Sequence, residues 1–201
     1  MYCCILWGMD EYAFFETLRA KGVAVAPFAT ALEDVGALGI PAVVVVRNAG
    51  VPAVRTMVAK YGDVVPAIAV AVRAGRFFMQ KHITGHEVAC GVIRSGRKIL
   101  PLVPVDAIPR PLHESGAWYM PIATQDAVQA LANAAYSAIG AKGHSCVRMV
   151  VDGSTPYVTG VDINPSLAHT SLFMRSALLA GLTLDEINES VGSFYPLTTI
   201  H

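Results

Sequence analysis

Apolar residues at Tyr12, Phe14, Phe15 and Leu18 recur at helical spacing, which predicts an amphipathic helix over residues 10–21 stopped by Gly22. Val23 to Ala26 then reads as a short strand ending at Pro27. Thr30 is placed to cap a helix over residues 31–38, and Gly39-Ile40-Pro41 leads into Ala42 and four consecutive valines. Such an unbroken β-branched run predicts a strand buried on both faces. Residues 51–61 and 63–74 read as two helices, the second capped by Asp63 with Pro66 in its first turn. A strand over residues 77–83 follows, then a hairpin turn over residues 93–99 with residues 100–105 pairing back, and an alanine-rich helix from Thr124 to Ala141. Val147 to Val151 and Tyr157 to Ile163 are β-rich segments joined by Asp152-Gly153-Ser154-Thr155-Pro156, which is turn chemistry, so they predict a second hairpin.

Helices and hairpins therefore interleave, and an α+β class follows. At 201 residues the chain allows one domain or two small lobes. It is 54% hydrophobic and 15% charged, so it should bury a generous core or an apolar face against a partner. Formal net charge is zero with no basic block, which argues against nucleic acid. No apolar run reaches the roughly 18 residues of a membrane span, and the start lacks a basic leader, so a cytoplasmic protein is expected. Cys3, Cys4, Cys90 and Cys146 show no C-x-x-C spacing and are expected as reduced, buried thiols.

Candidate chemistry gathers at the end of the second hairpin. Asp162 and Asn164 are two apart, so on a continuing strand both would face one side and offer oxygen ligands to a hard cation such as magnesium. The plainer reading is a polar strand end before Pro165. His82 and His86 are four apart, but the next position at that spacing is Cys90, so zinc is disfavoured. Gly143-His144-Ser145-Cys146-Val147 lacks the second glycine of a nucleophile elbow.

The run Asp162-Ile163-Asn164-Pro165-Ser166 through Ser171 resembles the metal strand of ATP-grasp ligases. Ser171-Leu172-Phe173-Met174 with Ala180-Gly181-Leu182-Thr183 is more specifically similar to D-alanine–D-alanine ligases. Gly22 to Pro27 and Gln80 to Glu87 resemble the opening strand and the hinge of the same family. The resemblance implies an ATP-grasp fold: two α+β lobes with antiparallel sheets, residues 1–82 and 83–201, and a nucleotide cleft between them. It implies ATP bound by Arg47, Gln80, Lys81, Ile83, Glu87 and Val161, metal held by Asp162 and Asn164, and an acyl acceptor faced by Ser166 and Ser171. The reaction implied is ligation of a small carboxylate to an amine, amino acid or peptide, through an acyl phosphate.

Several positions depart from the family pattern. Arg47 stands for a phosphate-binding lysine, and the loop after it keeps only Gly50 of its glycines. No lysine lies between Lys98 and Lys142 to reach the γ-phosphate. Cys146 replaces the oxyanion arginine, and Arg148 replaces a metal aspartate, which with the shortened arm of Asp162 favours one magnesium ion over two. Two readings follow: a divergent carboxylate–amine ligase, or a non-catalytic relative that binds nucleotide or a protein partner. The family's N-terminal lobe has no counterpart in the matching region, so a homo-oligomer through residues 1–9, or a partner chain, is expected to take its place.

Overall fold

The computed structural model describes residues 11–30, 32–47, 54–107 and 120–192, in two compact units. The smaller unit is Ala26–Thr84. Its sheet has the order β1 (Phe28–Ala29), β4 (Arg76–Lys81), β2 (Ala42–Arg47), β3 (Val54–Val58), antiparallel throughout. Alternation puts Ala42, Val44 and Val46 on one face with Met79 and Val58, where α2 (Leu32–Leu38) and α3 (Val64–Ala74) contribute Leu38, Val64, Ile68 and Ala71 to the core. On the other face Val45 lies opposite Phe78, both buried, so the valine run is covered on both sides as expected. The Phe78 ring also meets Phe28 edge-on, centroids 6.2 Å apart.

One element differs in kind. Residues 54–58, expected as helix, form β3, with Val46 opposite Val54 and Ala42 opposite Val58. Val54, Thr56 and Val58 are β-branched and alternate, which suits a pleated edge better than a helix. Asp63 does precede α3, but its side chain makes no capping hydrogen bond.

The larger unit combines Met1–Val25 with Gly85–His201. Helix α1 (Glu11–Ala20), expected with the smaller lobe, lies here instead. It buries Phe14, Phe15 and Leu18 and touches α4 (Ile122–Ala138), and the Lys21 ammonium just beyond it donates to the Ala138 carbonyl at 2.6 Å. The chain then pairs Val25 with Val158 before leaving for the smaller unit. The sheet runs β6 (Lys98–Pro101), β5 (His86–Ser95), β8 (His144–Asp152), β9 (Thr155–Asp162), with β7 (Val105–Asp106) also on β5. α5 (Leu172–Leu179) and α6 (Leu184–Gly192) close one face through Phe173, Met174, Ala177 and Ile187 over Ala89, Ile93 and Cys146. The approach is close at Gly91, where a Cβ would stand 2.9 Å from a Leu102 methyl and 3.1 Å from the Ser176 hydroxyl. Gly85 is tighter still, with a Cβ falling 2.2 Å from the Val151 carbonyl oxygen.

α6 begins with a reciprocal cap. The Glu186 carboxylate accepts from the Thr183 amide and hydroxyl, both at 2.8 Å, and the Thr183 hydroxyl accepts from the Glu186 amide at 3.3 Å. These bonds, backbone first, pull the Glu186 carboxyl below its ordinary value. A lowered folded pKa contributes stability above the unfolded value, lost as pH falls through the folded one. Glu186→Ala should therefore lower the thermal midpoint at neutral pH, and the gap to the parent should close on acidification below about pH 4.5, the ordinary carboxyl value. A gap unchanged at pH 3 would contradict this role.

Among the described residues no helix is long and apolar enough to cross a membrane. Cys90 and Cys146 are buried thiols without a disulfide, as expected; Cys3 and Cys4 lie outside the described residues.

Candidate functional site

Strand β8 is the spine of the larger unit. Cys146 stands opposite Asp162, and Arg148 opposite Gly160, on β9; on β5, Gly91 and Ala89 face the same two residues. Directly paired residues share a face, as do alternate ones, so Cys146, Arg148 and Asp162 project to the side that α5 covers. The irregularity in the ladder falls beyond Arg148 and leaves this parity intact. Cys146 is buried, while Arg148 and Asp162 are half-buried. Burial pushes the Cys146 thiol up to about 12, Arg148 drawing it down and Asp162 up, so at neutral pH it is an uncharged group between two charged ones. His144 lies one alternation further, buried, its ring 5.0 Å from that of Phe173. Burial lowers its basicity, against the Pro165 carbonyl and the Asp162 carboxylate, which raise it.

Asp162 and Asn164 do come together, though not by strand alternation. β9 ends at Asp162, and the chain bends so that the Asn164 amide donates to Asp162 Oδ1 at 3.1 Å. Asp and Asn favour such side-chain-to-backbone turns, which end the strand one residue earlier than its β-rich sequence suggests. Asp162 is half-buried and Asn164 exposed at the bend. Ser166 is exposed, its hydroxyl accepting from the Ala168 amide at 3.2 Å. Ser171 caps α5, accepting from the Met174 amide at 3.2 Å. Val161 is buried opposite Val147, and alternation turns it to the other face from Asp162. Glu87 is exposed on β5, its carbonyl accepting from the Ala107 amide at 3.0 Å.

In the smaller unit, Gln80 lies between Phe28 and Val43, and its side-chain nitrogen is buried without a hydrogen-bond partner. The Lys81 amide is taken by the Pro27 carbonyl at 2.8 Å, while the Lys81 side chain is exposed; Ile83 is half-buried in the connection that follows. Arg47 ends β2, and its side chain, like the glycine loop after it, lies outside the described residues.

Among the described residues no group of three or more His, Cys, Asp or Glu side chains is arranged for a metal. Magnesium commonly takes only one or two carboxylates, completed by phosphate and water oxygens, so Asp162 with Asn164 fits a single ion. The Arg148 guanidinium on the same face does not fit a second. His86 bonds the Asp106 carboxylate instead of a metal. Asp106 and Arg175 are buried charged residues that sequence pattern hardly signals: the other Asp106 oxygen, and Nε and Nη2 of Arg175, have no hydrogen-bond partner. Burial lowers the Arg175 pKa, and the Asp106 charge opposes the shift. A lone cation in the otherwise apolar helix 172–179 is the one clue in the sequence.

No family model matches the chain. A D-alanine–D-alanine ligase of Desulforudis audaxviator is 28% identical over 203 residues, covering 90% of this chain and 66% of that protein. The D-alanine–D-alanine ligase structure from Bacillus anthracis superposes with a TM-score of 0.71 at 19% identity, over 92% of this chain and 66% of that one. The Coxiella burnetii ligase gives 0.75 at 17% identity, over 92% of this chain and 56% of the other. A Bacillus anthracis ligase complexed with ATP gives 0.69 at 21% identity, over 92% and 63%. Two antiparallel sheets, each with its own helices, and this extent of superposition define an ATP-grasp fold. Within that class the chain is similar to the D-alanine–D-alanine ligases, and it spans about two thirds of the length of the curated ligase it resembles.

Proposed function

We propose that this chain binds ATP and one magnesium ion and takes part in carboxylate–amine ligation of the D-alanine–D-alanine type. The observation that supports the reading is the Asp162–Asn164 turn at the end of β9, in a fold shared with a solved ligase complexed with ATP. Asp162 and Asn164 hold the ion, which supplies charge neutralisation to the phosphates. Gln80, Lys81, Ile83 and Glu87 bind adenosine, with Arg47 toward the phosphates; Val161, buried on the opposite face of the sheet from Asp162, packs in the core instead. A carboxylate oxygen attacks the γ-phosphorus with ADP leaving, and an amine then displaces phosphate from the acyl carbon. Ser166 and Ser171 face that acceptor.

A second reading has its own observation. The Cys146 thiol stays protonated where an oxyanion-binding cation would act, which favours nucleotide or partner binding without turnover. Titration calorimetry with ATP, with and without magnesium, followed by phosphate release on adding amino acids, separates the two. Micromolar magnesium-linked binding with phosphate release supports ligation, and binding without release supports the second reading. No heat at millimolar ATP removes both nucleotide readings and leaves a protein partner.

A further inference from the structure

The β5–β6 hairpin and α6 border a cavity of about 560 Å³ within the larger unit. Alternation from Gly91 puts Ile93 on the face that α5 and α6 cover, and Leu100 stands opposite it on β6. Ile93 and Leu102, both buried, and half-buried Leu182 give the cavity an apolar floor. Its two walls carry opposite charge. On the hairpin wall, Arg94 belongs by alternation to the far face, but its side chain turns back along the hairpin. Its Nε donates to the Gly96 carbonyl at 3.2 Å, and Gly96 itself lines the cavity. That bond fixes the guanidinium at the rim through a neutral acceptor, which leaves the charge uncancelled. On the helix wall stand Glu186 and Glu189, three apart and so on one side of α6, which buried Ile187 anchors to the core. The Thr183 cap holds the Glu186 carboxylate in place.

None of the residues given above to ATP, the metal ion or the acceptor lines this cavity. Ser171 starts α5 and Ala180, just past its end, lines the cavity, so eight helical residues, about 12 Å, separate the two places. A cavity of this size takes a small organic molecule. Its ligand has to offer an anion to one wall, a cation to the other and apolar surface between. Packed layers stand about 10 Å apart, too far for an amino acid, whose two charges share one carbon. Two extended residues span about 7 Å, with an ammonium at one end and a carboxylate at the other.

We propose that this cavity binds a short zwitterionic peptide, of dipeptide length with aliphatic side chains, its carboxylate at Arg94 and its ammonium at Glu186 and Glu189. The site does not depend on the nucleotide reading.

The test is an NMR titration of the full chain with leucyl-leucine, and with its N-acetyl and C-terminal amide forms. Leucyl-leucine should shift the amide signals of residues 93–96 and 180–189 with a dissociation constant of about 1 mM. Amidation should weaken it about 10-fold, because the carboxylate meets a half-buried cation, and acetylation about 5-fold, because the ammonium meets exposed carboxylates. Arg94→Gln should weaken leucyl-leucine by the same factor as amidation and leave the amide form unchanged. Glu189→Gln should weaken it and leave the N-acetyl form unchanged, and Asp162→Ala should alter none of the three. Equal weakening of all three ligands by a variant would mean that its side chain acts only on the fold, and overturns its role. Free and blocked peptides that bind alike overturn the proposal, and that comparison needs no variant to fold. Silence of residues 93–96 at about 10 mM peptide, or shifts confined to residues 162–171, overturns it as well.

Discussion

Asp162→Ala should abolish the magnesium-linked part of ATP binding, and should cut any phosphate release by about 100- to 1000-fold, as loss of one charge-stabilising group does elsewhere. The side chain is half-buried at a strand end, and its one backbone bond is the 3.1 Å contact from the Asn164 amide. The fold should therefore survive with at most about 1 kcal/mol lost. Calorimetry in magnesium and in EDTA reads the effect directly. The variant should bind equally in both, because the ion has lost its carboxylate ligand. Magnesium dependence equal to the parent's would show that the ion, if bound, sits elsewhere.

Asp106→Ala should destabilise the fold by about 1–3 kcal/mol. Asp106 and Arg175 are each 4% exposed, and the Asp106 charge favours the Arg175 cation, so removing the carboxylate takes away that compensation. The His86 ring loses its partner as well, though it is half-exposed and water can replace that bond. Arg175→Met relieves the charge, so the double variant Asp106→Ala with Arg175→Met should recover part of the loss. Urea unfolding of the four proteins gives the coupling. Additive losses in the double variant would mean that the two buried charges do not compensate each other.

Much of the architecture is legible in residue order alone, because turn chemistry and periodicity agree where they matter. Asp152 to Pro156 marks the β8–β9 hairpin, and Ser171 before an apolar run marks the α5 cap, since both signals are local. The misread segment is 54–58, where an apolar stretch of helical length concealed β-branched alternation that only pairing with β2 resolves. The α6 cap was written in Thr183-Leu184-Asp185-Glu186, a Thr-x-x-Glu box. At the candidate site, Asp162 and Asn164 are neighbours for a different reason than strand alternation gives, because the strand stops and an aspartate turn takes over. Asp106 and Arg175 come from positions far apart in the chain, and no local pattern encodes their common burial.

The chain enters the smaller unit just after Val25, paired with Val158, and returns at His86, paired with Val151. Val151 lies opposite Pro156 on the same β9 strand that carries Val158, so the two crossing points are anchored within about three strand spacings, roughly 15 Å. While the larger sheet holds, residues 26–84 can unfold only as a ring pinned at both ends. A pinned ring has fewer conformations than a free segment of equal length, so the larger unit lends its insert stability without needing a single side-chain contact.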